Sequence, residues 1–327
     1  MSAGGESQAR PWNYRSGRPP SVGIGSRITI ATIALTSKLF LNTACASVKV
    51  RGLRHLLAAL DEAHRKDRGI ITVANHISVV DDPLVWGALP TKHCILNPRN
   101  MRWTLGASDI MFTNPLYRWF FRNGQVIETV RGVGVHQPAV DIAVAKLNSG
   151  AWVHVFPEGQ VNQESCQAGG NLLRFKWGVG RMIMSTTKTP VVIPMHITGL
   201  ERVMPEPRRF KFLPRIGQHI SITFGEPEAL TQEVDKLVQR WRSSRPSIHS
   251  LELPTGVSQP VREAVVSNLG GDLDTARLSG EIRKQAIDNL GKEIDWTDEE
   301  RARVDIVALL QKGVADLALS AHPPLAE

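Results

Sequence analysis

Apolar residues along this chain follow two periods. Ile70-Ile71-Thr72-Val73-Ala74 is a short run with the length and β-branched content of a buried strand, and residues 151–156 form a second. Residues 125–130, 191–198 and 220–224 read as further strands, with Pro194 interrupting one of them. Helical spacing of apolar positions predicts helices over 53–65, 84–89, 115–121, 138–147, 171–185 and 298–319. Strands alternating with helices predict an α/β layered fold, with a largely parallel or mixed central sheet flanked by helices.

The same pattern divides the chain into four segments. Residues 1–21 are rich in Gly, Ser, Pro and Arg and read as a loose basic N-terminus. Residues 22–48 are apolar but carry Arg27 and Lys38. Residues 49–245 hold the α/β pattern. Residues 246–327 begin as a linker-like insertion and end in acidic helices expected to pack on the main domain. The ten residues between Arg27 and Lys38 would span roughly 15 Å as a helix, against a hydrocarbon core of about 30 Å. A helix lying in one leaflet fits that length, with both cations reaching the headgroups. A helix packed on the soluble core is the alternative.

Composition narrows the class. Hydrophobic residues at 42% and charged residues at 21% describe a globular chain. The net charge of +8 is uneven: residues 1–248 carry 31 Lys+Arg against 17 Asp+Glu, and residues 249–327 carry 8 against 14. The basic part, at +14, suits an anionic partner. No nucleic-acid motif accompanies it, so an anionic membrane surface is preferred. Cys45, Cys94 and Cys166 are odd in number and widely spaced, which implies neither a disulfide framework nor a zinc site.

Candidate chemistry begins where the first strand ends, at Asn75-His76-Ile77-Ser78-Val79-Val80-Asp81-Asp82-Pro83. Asp82-Pro83 reads as a helix start, with the aspartate as cap and the proline in the first turn. On a continuous helix, His76 and Asp81 would point roughly 140° apart. They meet only if the backbone between them turns, as at a strand-to-helix junction. A carboxylate on one ring nitrogen would then fix the tautomer and aim the other nitrogen as a general base. Ser78 reads as a turn hydroxyl and His154 as a structural histidine. By itself the spacing also fits a histidine that caps a turn beside an aspartate that caps a helix.

Two later blocks bear on that choice. Phe156-Pro157-Glu158-Gly159 follows a strand and sets a carboxylate and a glycine where parallel α/β sheets bind ligands. Arg131-Gly132-Val133-Gly134 occupies a comparable strand end, where arginine can grip a phosphate and glycines allow close backbone approach. Taken in order, with Val192-Ile193-Pro194, these blocks resemble the glycerolipid acyltransferase superfamily. The likeness to tafazzins is closer. It is carried by Asn75-His76 to Pro83 with Trp86-Gly87, by Arg131-Gly132 with Gly134-Val135, and by Lys146-Leu147-Asn148 ahead of Trp152 to Asn162. Gln160-Val161-Asn162 stands where many CoA-dependent members carry arginine. Glu128 in a strand expected to be apolar and the insertion at 246–280 depart from the pattern.

The resemblance implies a CoA-independent phospholipid–lysophospholipid transacylase that remodels cardiolipin, acting on phospholipids, monolysocardiolipin and cardiolipin without a metal or cofactor. It implies His76 and Asp81 as the catalytic pair. Asn75, Arg131, Gly132, Glu158 and Gly159 would bind substrate, and a backbone N–H within 75–78 is a candidate oxyanion donor. It implies a monotopic protein of a mitochondrial membrane facing the intermembrane space. A CoA-dependent lysophospholipid acyltransferase is the enzymatic alternative, and a membrane-binding scaffold the non-enzymatic one.

Overall fold

The computed structural model describes residues 23–61, 65, 68–95, 97, 100–163, 171–207, 213–244 and 296–321. The basic segment 1–21 and the insertion at 246–280 lie outside them.

Helix α1 (Ile24–Thr43), strand β1 (Ser47–Arg51) and helix α2 (Leu53–Leu60) precede the apolar strand β2 (Ile70–Ala74). Helices α3 (Asp81–Trp86) and α4 (Thr91–Ile95) lead to β3 (Trp103–Ala107). Helices α5 (Ser108–Met111) and α6 (Pro115–Asn123) connect it to β4 (Val126–Thr129). Then follow α7 (Pro138–Asn148), β5 (Trp152–Val155), α8 (Gly178–Met184) and β6 (Val191–Thr198). The last elements are α9 (Leu200–Val203), β7 (His219–Phe224), α10 (Pro227–Ser244) and α11 (Trp296–Ala321).

The strands form a seven-stranded sheet in the order β1-β7-β6-β2-β5-β3-β4. The block β6, β2, β5, β3 and β4 is parallel, and the antiparallel pairing of β6 with β7 turns β7 and its parallel neighbour β1 the other way. The sheet is therefore mixed. Alternate side chains of each strand feed opposite cores. Ile70, Trp152, Ile193 and Met195 join the core covered by α1, α2, α3 and α9. Ile71, Val153, Val155 and Val192 join the one covered by α7, α8, α10 and α11. In α11, Ile306, Leu310 and Val314 are fully buried, each contributing about 1.5–3 kcal/mol of apolar burial.

The structure departs from the sequence reading in several places. The helix expected over 171–185 shortens to α8, because the donors before it bond sideways. The N–H of Leu173 goes to Glu158, that of Phe175 to Gln311 and that of Lys176 to the Pro157 carbonyl. Helix α2 stops at Leu60, and buried Arg65 instead donates to the Gly150 carbonyl and to Asn100 Oδ1. Strands β1 and β3 and helix α10 were not foreseen. β1 alternates Val48 and Val50 with Lys49 and Arg51 and straddles the segment boundary drawn at 48/49. α10 buries Thr231, Val234, Val238 and Trp241 along one stripe. Glu128 is explained by position: β4 is an edge strand, and its carboxylate pairs with Arg122 at 3.3 Å.

Helix α1 is continuous through both of its cations and, by length and composition, long and apolar enough to cross a membrane. One face is committed to the protein. Ile30, Ala34, Ser37 and Leu41 are buried. Gly87 admits the helix so closely that a Cβ there would stand 2.8 Å from the Lys38 nitrogen. Ser26 Oγ, at the other end, donates to the Asn123 carbonyl at 2.5 Å. Ile24, Ile28, Leu35 and Leu39 face outward within an arc of roughly 60°. The helix packs on the domain at both ends and still presents an apolar stripe.

Candidate active site

The parallel block sends four consecutive loops to one edge of the sheet, the carboxyl edge where such folds place ligands. They follow β2, β5, β3 and β4, in that spatial order.

The β2 loop carries His76. Helix α3 starts at Asp81 with Val80 as its cap residue, so Asp82 is not the cap that the sequence suggested. The Asp81 side chain folds back over the turn. Its Oδ2 accepts from His76 Nδ1 at 2.9 Å, from the Ile77 N–H at 2.7 Å and from the Ser78 N–H at 2.8 Å. Asp81 is fully buried, while the His76 side chain is 21% exposed. Burial raises the Asp81 carboxyl above the ordinary aspartate range, and the bonds from His76, Ser78 and Ile77 oppose that rise. Facing a carboxylate oxygen, Nδ1 carries the ring proton and Nε2 keeps its lone pair. Phe156 stacks on the imidazole with centroids 4.2 Å apart and planes inclined by 19°, which fixes the ring's orientation.

The β5 loop grips the same turn from the other side. Glu158 is buried, and its Oε1 accepts the His76 backbone N–H at 2.9 Å. Its Oε2 accepts from Asn162 Nδ2 and from the Leu173 N–H, each at 2.9 Å. The Asn162 N–H closes the loop onto the His76 carbonyl at 2.6 Å. Gly159, with φ of 72°, completes the turn by donating to the Phe156 carbonyl. The Glu158 carboxylate thus points into the protein and holds the His76 backbone. Asn75 is likewise engaged within the protein. Fully buried, it exchanges a pair of 2.8 Å bonds with the Ile197 main chain and braces the loop to β6. The N–H groups of His76, Ile77 and Ser78 are all engaged, which removes them as oxyanion donors.

Other neighbours of the pair are structural. Ser78 is buried in the turn. Asp82 accepts from Trp86 Nε1 and from buried Arg102, whose charge holds its carboxyl below the ordinary range against the effect of burial. His154 bonds Thr72 Oγ1 through Nδ1 at 2.7 Å and meets Trp86 and Phe156 edge-on. Burial pulls it down to about 3, so it is neutral.

Arg131 lies on the β4 loop, three strand spacings of about 4.8 Å, or roughly 14 Å, from the β2 loop. It is exposed and pairs with Asp109 at the end of β3. Gly132 and Gly134 follow with φ of 85° and 84°, left-handed angles that side-chain-bearing residues rarely adopt. Nothing lies within 4 Å of where their Cβ atoms would be. The loop is open space with a guanidinium at its start. Arg131 and Gly132 thus share an edge with His76 without touching it.

Sequence reasoning missed Phe156, Asn162 and Asn75's bond to β6. The first two sat inside a recognised block, and only their order after a strand hinted at the first. Among the described residues, no group of three His, Cys, Asp or Glu side chains is arranged to hold a metal ion.

Residues 47–198 match the family model described as Acyltransferase. Saccharomyces cerevisiae Tafazzin is 35% identical over 292 residues, covering 76% of this chain and 76% of that protein. The Dictyostelium discoideum protein Taffazin is 38% identical over 196 residues, 59% of this chain and 66% of the relative. An Arabidopsis thaliana N-acylphosphatidylethanolamine synthase is 38% identical over 161 residues, 48% of this chain and 55% of its own. The matches thus span between about half and three quarters of these relatives.

Proposed function

The chain belongs to the tafazzin family of acyltransferases, and from that premise we propose that it is a CoA-independent phospholipid–lysophospholipid transacylase. Its substrates in this reading are a phospholipid donor and monolysocardiolipin as acceptor, with cardiolipin as product.

The observation that carries the reading is the His76–Asp81 pair. A buried carboxylate lies 2.9 Å from Nδ1, and the ring, 21% exposed, keeps Nε2 for the reacting hydroxyl. In the forward step, Nε2 removes the proton from the lysolipid's free hydroxyl as that oxygen bonds to the donor's ester carbonyl carbon. Asp81 stabilises the imidazolium so formed. The tetrahedral intermediate collapses by breaking the bond to the donor's glycerol oxygen. The imidazolium returns its proton to that oxygen, which leaves as the hydroxyl of a new lysophospholipid. One ester is exchanged for another of similar energy, so the step runs in both directions and needs no activated donor.

Glu158 and Asn162 hold the His76 backbone from both sides and keep Nε2 aimed. Arg131, exposed at the far end of the edge, is the guanidinium we assign to the lipid phosphate, with Gly132 and Gly134 allowing close approach. The setting we propose is a mitochondrial membrane facing the intermembrane space, with α1 lying in one leaflet. The packing of both ends of α1 on one domain supports that pose.

The test is acyl transfer between labelled phospholipid and monolysocardiolipin in liposomes, using the purified full chain with all CoA removed. Transfer at an undiminished rate is expected. Transfer only on adding acyl-CoA would replace this reading with a CoA-dependent lysophospholipid acyltransferase.

A further inference from the structure

Helix α6 is built inside out. It is the crossover between β3 and β4, a position whose apolar stripe ordinarily packs on the sheet. Here none of its residues is buried. Leu116, Trp119 and Phe120 are 69%, 57% and 40% exposed and share an arc of roughly 100°. Half-buried Phe121, beside buried Phe112, and the two arginines take the side nearer the protein, with Arg122 still 36% exposed. Arg118 donates to the Phe112 carbonyl at 3.1 Å, and Arg122 pairs with Glu128 at 3.3 Å. Two guanidiniums thus each reach a protein acceptor while a leucine, a tryptophan and a phenylalanine face outward. Ile110, on the preceding helix, is exposed as well.

Large apolar side chains clustered on one surface mark a contact with a partner or a membrane. Three observations favour a lipid surface. The start of α1, which carries exposed Ile24 and Ile28, touches the last turn of α6 through Ser26 and Asn123, so the two helices that bear exposed apolar residues meet. The side chains are those of membrane-interface belts, tryptophan and tyrosine beside aliphatic residues. Tyr117 is exposed next to the patch. Residues 1–248, which contain all of these groups, carry a net charge of +14, complementary to anionic lipid.

We propose that the outward face of α6, Leu116, Trp119 and Phe120, inserts into an anionic phospholipid leaflet as a second docking element beside α1. The insertion tethers the β3–β4 crossover, which leaves the carboxyl edge through α5, to the membrane surface. It goes beyond the acyl-transfer reading. The assay below scores binding without turnover, so an enzyme that fails the CoA-free transfer test leaves its outcome standing.

The experiment uses the full chain and vesicles of phosphatidylcholine with and without cardiolipin. Trp119 fluorescence is taken as the difference between wild type and Trp119→Phe. On cardiolipin vesicles it should shift to the blue and be quenched by bromines placed high on the acyl chains. The triple variant Leu116→Ser/Trp119→Ser/Phe120→Ser should partition onto these vesicles at least about tenfold less well, with its thermal unfolding unchanged. Equal partition of the triple variant, or a Trp119 difference signal that is neither blue-shifted nor quenched, overturns the proposal. So does a wild-type dimer that the triple variant splits into monomers, which would assign the face to a second copy. A loss of melting temperature with partition intact would assign it to another part of this chain.

Discussion

The two halves of the carboxyl edge are built on opposite plans. After β2 and β5, the polar groups around His76 are heavily cross-linked: Asp81 Oδ2 takes three N–H donors, Glu158 takes three more, and Asn75 is tied to β6. After β3 and β4, the pair Asp109–Arg131 stands in solvent and two left-handed glycines open space around it. The first half has an energetic reason to be rigid, because each buried N–H left unpaired would cost about 1–3 kcal/mol. The second has none, because an exposed ion pair contributes about 0–1 kcal/mol and is easily exchanged for a phosphate. A proton-transfer group gains from fixed geometry, whereas a headgroup contact must let varied lipids in and out.

The largest effect should come from the closed half. His76→Ala should lower transfer by about 10²–10⁴-fold with the fold intact, and Asp81→Asn by more than about tenfold. Initial rates in the CoA-free assay, beside thermal unfolding of each variant, measure this. Full activity in a folded His76→Ala protein would falsify the pair as the reacting group.

An intermediate effect is expected at Glu158. Its carboxylate holds the His76 backbone and faces away from the edge, so Glu158→Gln should lower kcat by about tenfold and leave KM for lysolipid unchanged. A rise in KM with kcat retained would return Glu158 to the headgroup and erase the contrast between the halves.

The smallest effect belongs to the open half. Arg131→Ala should raise KM for anionic lysolipid by about three- to tenfold with little change in kcat or stability. Lys146→Met is the control. That lysine is buried over the Trp103 ring at 3.9 Å, and burial pulls it down to about 8, so its charge cannot serve a lipid at the edge. Equal effects on KM from both variants would mean that Arg131 is only a surface charge.

Much of this was legible along the chain, for local reasons. β2 and β5 are continuous apolar runs because both of their faces are buried, and a run of that kind shows in any window of five residues. The acyltransferase family was readable because its blocks sit at strand ends in a fixed order. β1 was hidden because its period-two pattern is only five residues long and adjoins the apolar stretch that becomes α1. The helix expected over 171–177 failed for a non-local reason. Its donors satisfy a carboxylate and a carbonyl of the β5 loop and a glutamine of α11.

The sequence by itself determined the alternation that makes a layered α/β sheet, the placement of His76 and Glu158 after strands, and the requirement that the chain turn between His76 and Asp81. Only the tertiary structure decided what those side chains face. Glu158 and Asn75 are polar residues at a ligand-binding edge, and in one dimension nothing separates a carboxylate that meets a lipid from one that meets a backbone N–H. The sheet order β2-β5-β3-β4 makes the distinction. It sets Glu158 one strand from His76, within hydrogen-bond reach, and Arg131 three strands away and in the open. α6 obeys the same logic: its spacing gave a helix, but only the fold shows which arc turns to the protein, where Phe121 lies beside Phe112 and the arginines reach the Phe112 carbonyl and Glu128.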